Sequence, residues 1–233
     1  MADALGQVIA LVGAESTGKS TLAAGLAEEL AEATGLRCTW VPEALRTWCD
    51  EHQRTPLQHE QAEIVRLQST AIEAAREAHD VVFADTTPLM TAVYHWQVFA
   101  SDELDAAALH WHGQQCSLTL LTGLDLPWVA DGLQREGPHV REPVDARLRH
   151  LLLQGGLDFV VIRGQGPARV DAAMDAISPL LRGNKAGRKA GLFTRLAQRD
   201  AEAPAWPWLC DCDSPECEHA LRQPTSVQGA VGR

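Results

Sequence analysis

The stretch that decides the fold is GAESTGKSTL, residues 13–22. It matches the pattern G-x-x-x-x-G-K-[S/T] at every fixed position. An apolar run, QVIALV at residues 7–12, comes before it, and leucines at every fourth position follow it as far as Gly35. A strand, a glycine-containing turn and an amphipathic helix form the context in which this pattern wraps a phosphate group. The stretch therefore predicts an α/β domain with a phosphate-binding loop after its first strand.

Each residue type in this loop has a physical role in holding a nucleoside triphosphate. Glycines let backbone N–H groups approach phosphate oxygens, and the helix N-terminus adds partial positive charge. Lys19 is expected to bridge the β and γ phosphates, and Ser20 to ligate Mg²⁺. The loop residues predicted to bind ATP are Gly13, Glu15, Ser16, Thr17, Gly18, Lys19, Ser20 and Thr21. The loop indicates the phosphate donor and leaves the acceptor open.

Strands and helices alternate along the rest of the domain. Further apolar runs predict strands at residues 37–41, 81–84, 118–121 and 159–162. Helical patterns occupy residues 56–78, 89–99, 102–113, 144–153 and 168–181, and the first of these has Thr55 as its cap, Pro56 at its first position and Gln58 at the capping-box position. Because the strands are apolar on both faces, we predict a three-layer, doubly wound, parallel sheet of five strands.

Two acidic residues follow predicted strands at the edge where ligands bind in such sheets. Asp85 comes directly after the third strand, where it can hold Mg²⁺ with Ser20 or accept a proton from an attacking hydroxyl. Glu43 follows the second strand, with Arg46 three residues later. Either acid could instead cap a helix. The sequence predicts an acceptor pocket at this edge.

Cations that could close over ATP lie between the fourth and fifth strands. Arg135, Arg141 and Arg147 suit a lid that places positive charge against the transferring phosphate, although a solvated surface helix is the alternative. Gly164 and Arg169 belong to a turn after the fifth strand that is placed to clasp the adenine.

Several segments together resemble the ribosylnicotinamide kinase domain of bacterial NadR proteins and their AAA-type relatives. They are GAESTGKSTL, VPEALR (residues 41–46), FADTTPLMTAVYHW (83–96), LDLPWVADGLQREG (124–137) and VIRGQGPAR (161–169). The resemblance implies a P-loop kinase that transfers the γ-phosphate of ATP to the 5′-hydroxyl of nicotinamide riboside in NAD salvage. Full NadR proteins place an adenylyltransferase domain before the kinase. This sequence starts at the kinase strand, so we expect no such second activity from it.

The same resemblance implies roles for individual residues. It places Glu43, Asp85 and Thr86 around the acceptor, and it makes Asp125, Trp128 and Asp131 candidates for substrate or lid contacts. A cationic pyridinium ring favours aromatic faces and carboxylates, which Trp128 and its acidic neighbours offer, with Tyr94 as a second choice. Burial in the core is the alternative for each aromatic residue.

Composition excludes other classes of function. A formal net charge of −11 argues against binding to duplex nucleic acid, and the short apolar run near the start favours neither a signal peptide nor a membrane span. We therefore expect a cytoplasmic protein. A basic cluster at residues 182–199 is interpreted as a solvated linker, with a phosphate-binding patch as the alternative.

The end of the sequence carries a cysteine-rich segment. Cys210, Cys212, Cys217 and His219 form the donor set of a tetrahedral Zn²⁺ site, with redox thiols or simple packing as alternatives. The predicted organisation is a kinase domain at residues 1–182, a linker at 183–204, a zinc-knuckle-like segment at 205–222 and a disordered tail at 223–233.

Two other functions fit the sequence besides a nicotinamide riboside kinase. One is a regulatory ATPase whose cysteine-rich segment binds a partner, and the other is a kinase of deoxynucleosides or other metabolites. The sequence leaves the oligomeric state open.

Overall fold

A computed structural model describes residues 5–129 and 137–182 of the chain. Its strands are β1 (Gln7–Val12), β2 (Cys38–Val41), β3 (Val81–Asp85), β4 (Leu118–Thr122) and β5 (Val160–Ile162). Its helices are α1 (Lys19–Thr34), α2 (Ala44–His52), α3 (Gln61–Ala78), α4 (Pro88–Phe99), α5 (Asp105–Gln115), α6 (Arg141–Gln154) and α7 (Gly166–Arg182). Two 3₁₀ turns, Gln58–Glu60 and Pro138–Val140, precede α3 and α6.

The five strands form one parallel sheet in the order β2-β3-β1-β4-β5. Alternate residues of β1 face opposite layers, as the twofold repeat of a strand requires. Val8, Ala10 and Val12 pack into clusters with residues of α3 to α6. Ile9 and Leu11 are also fully buried and point to the other face, where α1 packs on β2, β3 and α7. The sheet therefore lies between two helical layers.

This architecture confirms the predicted doubly wound α/β fold with five parallel strands, and strand boundaries agree to within two residues. The sequence reading missed α2, a short helix after β2 that buries Trp48 and Cys49. Within the described part of the chain, no helix is long and apolar enough to cross a bilayer.

The start of the third helix differs from the prediction. The capping partner is Glu60 rather than Gln58, because the Glu60 carboxylate accepts the backbone N–H of Leu57 at 2.7 Å. The same carboxylate binds Arg54, and these hydrogen bonds lower the pKa of Glu60 to about 2. A 3₁₀ turn therefore comes first, and α3 starts at Gln61, five residues later than predicted.

Candidate nucleotide site and side cleft

The phosphate loop, residues 13–20, lies where the strand order of the sheet reverses. The neighbouring strands β1 and β3 are followed by connections that lead in opposite directions along the sheet: the chain goes from β1 to β2 at one edge, and from β3 to β4 toward the other edge. Ligands of doubly wound sheets bind in the crevice that this reversal opens at the carboxyl ends of the strands. The phosphate loop follows β1, and Asp85 ends β3 beside Leu11, so both lie at this crevice.

The backbone of the phosphate loop is tightly curved. Gly13, Ser16 and Gly18 have φ angles of 148°, 52° and 73°. A side chain on Gly13 is excluded, since a Cβ atom there would lie 2.1 Å from the Thr122 hydroxyl oxygen. The first glycine of the motif is therefore required by a side chain at the end of β4 as well as by the curvature.

Two buried threonines, one in the phosphate loop and one at the end of β4, form a hydrogen bond with each other. The hydroxyls of Thr17 and Thr122 lie 2.7 Å apart. The Thr17 hydroxyl also lies 2.8 Å from the carbonyl of Ala14 and the Thr122 hydroxyl 3.2 Å from the carbonyl of Val12, so either threonine can donate the proton of the bond between them. Sequence reasoning included Thr17 as an ATP-binding residue but missed Thr122. The sequence signal for Thr122 was a residue with a hydroxyl group at the end of β4, the strand that pairs with β1.

The other loop residues predicted to bind ATP surround the mouth of the site. The Lys19 ammonium donates to the carbonyls of Gly13 and Ala14 at 2.9 and 2.8 Å, which places its charge over the loop. Ser20 is half-buried in the first turn of α1, and Thr21 is exposed.

A side cleft opens next to the phosphate loop. Its lining residues are Glu15, Ser16, Lys19, Glu43, Leu45, Arg46 and Tyr94. Glu43 and Arg46 lie 3.9 Å apart as an ion pair. Glu43 occupies the N-cap position of α2 but makes no side-chain capping bond, so its carboxylate is directed to other partners. The structure thus brings Glu43, Arg46 and Tyr94 together beside Lys19.

Asp85 ends β3 and Thr86 follows it; both are buried, and neither is among the residues that line the side cleft. Asp85 is 2% exposed, and its Oδ1 atom has no hydrogen-bond partner within the described residues. Thr86 has a φ angle of 70°, which is rare for a β-branched residue, and its N–H donates to Leu11. The alternative of a helix-capping Asp85 is wrong, because Thr87 occupies the N-cap of α4.

A buried histidine forms a hydrogen bond with a residue of the turn between β3 and α4. His112 of α5 lies with Nδ1 3.0 Å from the Thr87 hydroxyl and Nε2 2.8 Å from the Thr119 hydroxyl. Burial lowers the pKa of His112 to about 4. A neutral ring has one donor and one acceptor nitrogen, which two hydroxyl groups can satisfy. His112 therefore links the start of α4 to β4.

The strap, residues 125–129, crosses close to the phosphate loop. Ser16 donates to the Val129 carbonyl at 2.8 Å and accepts the Val129 N–H at 3.1 Å. A side chain on Gly18 would meet the Leu126 methyl group at 3.1 Å. Asp125 accepts the Gly164 N–H at 2.6 Å and lies 3.6 Å from Arg169. Asp125 therefore contacts the β5–α7 turn rather than the side cleft.

Other predicted residues take different positions. Trp128 is half-buried and is not among the residues that line the side cleft. Arg141 starts α6 and is buried, with Nε and Nη2 lacking partners within the described residues. Arg147 binds Asp105 and stacks over Trp96 at 4.8 Å, so its charge is used in packing α4, α5 and α6 together. This removes Arg147 from the predicted lid.

Some predicted residues lie outside the described residues, namely Asp131, Arg135, Cys210, Cys212, Cys217 and His219. Among residues 5–129 and 137–182, no group of three His, Cys, Asp or Glu side chains is arranged to hold a metal. Zinc binding by the cysteine-rich segment stays a prediction. The buried Oδ1 of Asp85 is a hard oxygen donor of the type that Mg²⁺ prefers.

The sheet order and the curved loop define a P-loop nucleotide-binding protein of the kinase-like fold class. A family model described as an AAA domain matches residues 8–169, and the chain therefore belongs to this AAA domain family. No curated protein matches the sequence.

Solved structures with the same fold include two of NadR protein. One is in complex with NAD and AMP-PNP (TM-score 0.60) and the other is in complex with NR (TM-score 0.61), each at 20% identity. They cover 80% of this chain, which spans 52% and 53% of theirs, or about half their length. A thymidylate kinase from Ehrlichia chaffeensis matches at 15% identity and a TM-score of 0.53, over 76% of this chain and 100% of its own. The comparisons confirm the resemblance to NadR at the level of the fold.

Proposed function

We propose that the protein is an ATP-dependent kinase that transfers the γ-phosphate to a nucleoside hydroxyl, with nicotinamide riboside as the acceptor. The observation that carries this proposal is the side cleft, which opens directly beside Lys19 of the phosphate loop. A phosphoryl group held by Lys19 would therefore face a molecule in the cleft. Phosphoryl transfer needs this positioning and a fixed field of charges more than it needs covalent chemistry.

The charges that line the side cleft favour a nucleoside over a nucleotide as acceptor. Glu15 and Glu43 place two carboxylates there, and Arg46 already has Glu43 as a partner at 3.9 Å. A phosphorylated acceptor would meet repulsion from these acids. A pyridinium nucleoside carries a positive charge and no phosphate, so carboxylates and the Tyr94 ring both attract it. NadR, whose fold this chain shares, has been solved in complex with NR, which also supports this acceptor.

The chemical roles follow from the positions of the side chains. Lys19 holds the transferring phosphate, and Asp85 or Glu43 takes the proton of the attacking hydroxyl. Mg²⁺, when bound through Ser20 and Asp85, would supply positive charge to the phosphate oxygens. The buried Asp85, with one oxygen unpaired within the described residues, suits that role or the role of base.

The test is a panel of acceptors with ATP and Mg²⁺, with each product identified by its mass. The panel contains nicotinamide riboside, thymidine, adenosine and thymidylate, and the Lys19→Ala variant supplies the background. We expect a product one phosphoryl group heavier from nicotinamide riboside and none from thymidylate. Phosphorylation of thymidylate alone would overturn the acceptor assignment. ADP and free phosphate without any phosphorylated acceptor would instead favour the regulatory ATPase.

A further inference from the structure

Arg169 lies in the first half of α7 and reaches back to the phosphate loop. The residue is 5% exposed. Nη2 donates to the carbonyl of Thr17 at 2.6 Å, and Nη1 donates to the carbonyl of Gly164 at 3.0 Å. Nη1 also lies 3.6 Å from Oδ1 of Asp125. The cation is therefore occupied by the protein rather than directed at a base-binding surface.

The bond to Thr17 fixes the orientation of one peptide group in the phosphate loop. None of the described peptide bonds is cis, so the C=O of Thr17 and the N–H of Gly18 point in opposite directions. Arg169 binds the carbonyl on the buried side of the loop, where the Thr17 side chain also meets Thr122. The Gly18 N–H therefore points to the open side, where phosphate oxygens are expected.

This peptide lies between two residues with left-handed backbone. Ser16 and Gly18 have φ angles of 52° and 73°. Left-handed backbone is unfavourable for serine and persists only where surrounding contacts hold it. A charge-assisted hydrogen bond from a buried arginine is such a contact.

The Asp125 carboxylate provides a negative charge that offsets the cost of burying the Arg169 guanidinium. Burial lowers the pKa of Arg169, and the nearby Asp125 carboxylate opposes that effect. The second oxygen of Asp125 accepts the Gly164 N–H, so the strap, the β5–α7 turn and the phosphate loop meet at this pair.

We propose that Arg169 is a positioning residue that turns the Gly18 N–H toward the bound phosphates, and that Asp125 holds Arg169 in place for this purpose. Arg169 acts through the Thr17–Gly18 peptide and does not clasp the adenine. The inference rests on the triphosphate-binding role of the loop in the proposed function.

The experiment uses a probe that has no base. Affinities of the full chain for ATP and for inorganic tripolyphosphate are measured by titration calorimetry in the wild type and in Arg169→Met. Arg163→Met is the matched control, because Arg163 is an exposed cation on the same connection before α7. We expect Arg169→Met to weaken both ligands by the same factor, about 10- to 100-fold, as for loss of a hydrogen bond from a charged group. Arg163→Met should change both affinities by less than about threefold.

A spectroscopic signature separates positioning from general support of the fold. In ¹⁵N-labelled wild type, tripolyphosphate should shift the Gly18 amide resonance strongly, and Arg169→Met should abolish that shift while its thermal unfolding stays cooperative. If Arg169→Met shows no cooperative unfolding, Arg169→Lys is compared in the same way.

The outcomes distinguish this inference from the proposed function. Weaker ATP binding with unchanged tripolyphosphate binding would show that Arg169 contacts the base, and unchanged binding of both would show that it does not position the loop; either overturns the inference. Failure of the wild type to bind ATP or tripolyphosphate would instead overturn the proposed function.

Discussion

Protonation of His112 should control how the stability of the protein depends on pH. The ring is 1% exposed and lies between the hydroxyls of Thr87 and Thr119. Its pKa falls from 6.5 to about 4 because burial penalises the charged form. Between these values the unfolded chain binds the proton and the folded chain does not, so stability is complete above about pH 6.5 and is lost as the pH falls.

The size of this loss follows from the two pKa values. One proton changes the free energy of unfolding by about 1.4 kcal/mol per pH unit within the window, which amounts to about 2 kcal/mol between pH 7 and pH 5. Urea unfolding of the wild type, His112→Gln and His110→Gln at these pH values measures it. His112→Gln removes the titrating group but keeps a side chain that can form hydrogen bonds with both threonines. Between pH 7 and pH 5, the free energy of unfolding of this variant should therefore fall by about 2 kcal/mol less than that of the wild type.

His110→Gln is the matched control, because His110 is exposed on the same helix. Its pH dependence should run parallel to that of the wild type. If His112→Gln also ran parallel to the wild type from pH 7 to pH 5, the conclusion that folding requires a neutral His112 would be refuted.

Three further changes test the site and its surroundings. Gly13→Ala should abolish measurable ATP binding, because the added Cβ would lie 2.1 Å from the Thr122 hydroxyl, and Gly13→Ala with Thr122→Ala should bind ATP better than Gly13→Ala alone if that clash is the cause. Glu43→Gln should raise the KM for nicotinamide riboside by about 10-fold while the KM for ATP stays within about twofold, since a carboxylate near a cationic ring contributes about 1 to 2 kcal/mol; equal increases in both would contradict its place in the acceptor cleft. Desolvation raises the pKa values of the half-buried Cys38 and Cys116 to about 12, with the Asp80 charge adding to the rise at Cys38, so peptide mapping after brief alkylation at pH 7 should find both largely unmodified in the folded protein, and rapid labelling of either would contradict the raised pKa values.

The fold was predictable because its signals are local. The strands are continuous apolar runs, and the glycine and lysine pattern of the phosphate loop specifies a strand before it and a helix after it. The helix α2 was missed because it has only 9 residues and is polar overall, with Trp48 and Cys49 as its buried residues. The start of α3 was misplaced because the capping bond joins the Glu60 carboxylate to the Leu57 N–H, two residues after the predicted pair of Thr55 and Gln58.

The side cleft was partly predictable. Residues at the carboxyl ends of parallel strands converge, so the position of Glu43 and Arg46 near the phosphate loop follows from the predicted parallel sheet. The supporting contacts were not predictable, because they join positions that are distant in sequence. Thr17 meets Thr122 across 105 positions, and Arg169 meets Thr17 across 152. No local pattern marks such pairs, so the contact between Arg169 and the phosphate loop has no signal in the sequence.

The fate of the ATP γ-phosphate tests the central claim most directly. Phosphorus NMR of a reaction containing ATP, Mg²⁺ and nicotinamide riboside follows ADP, free phosphate and any phosphomonoester at the same time. The account predicts that phosphomonoester appears in equal amount to ADP in the wild type, and that neither appears with Lys19→Ala. ADP that accumulates with an equal amount of free phosphate, and with no phosphomonoester from any nucleoside, would contradict it.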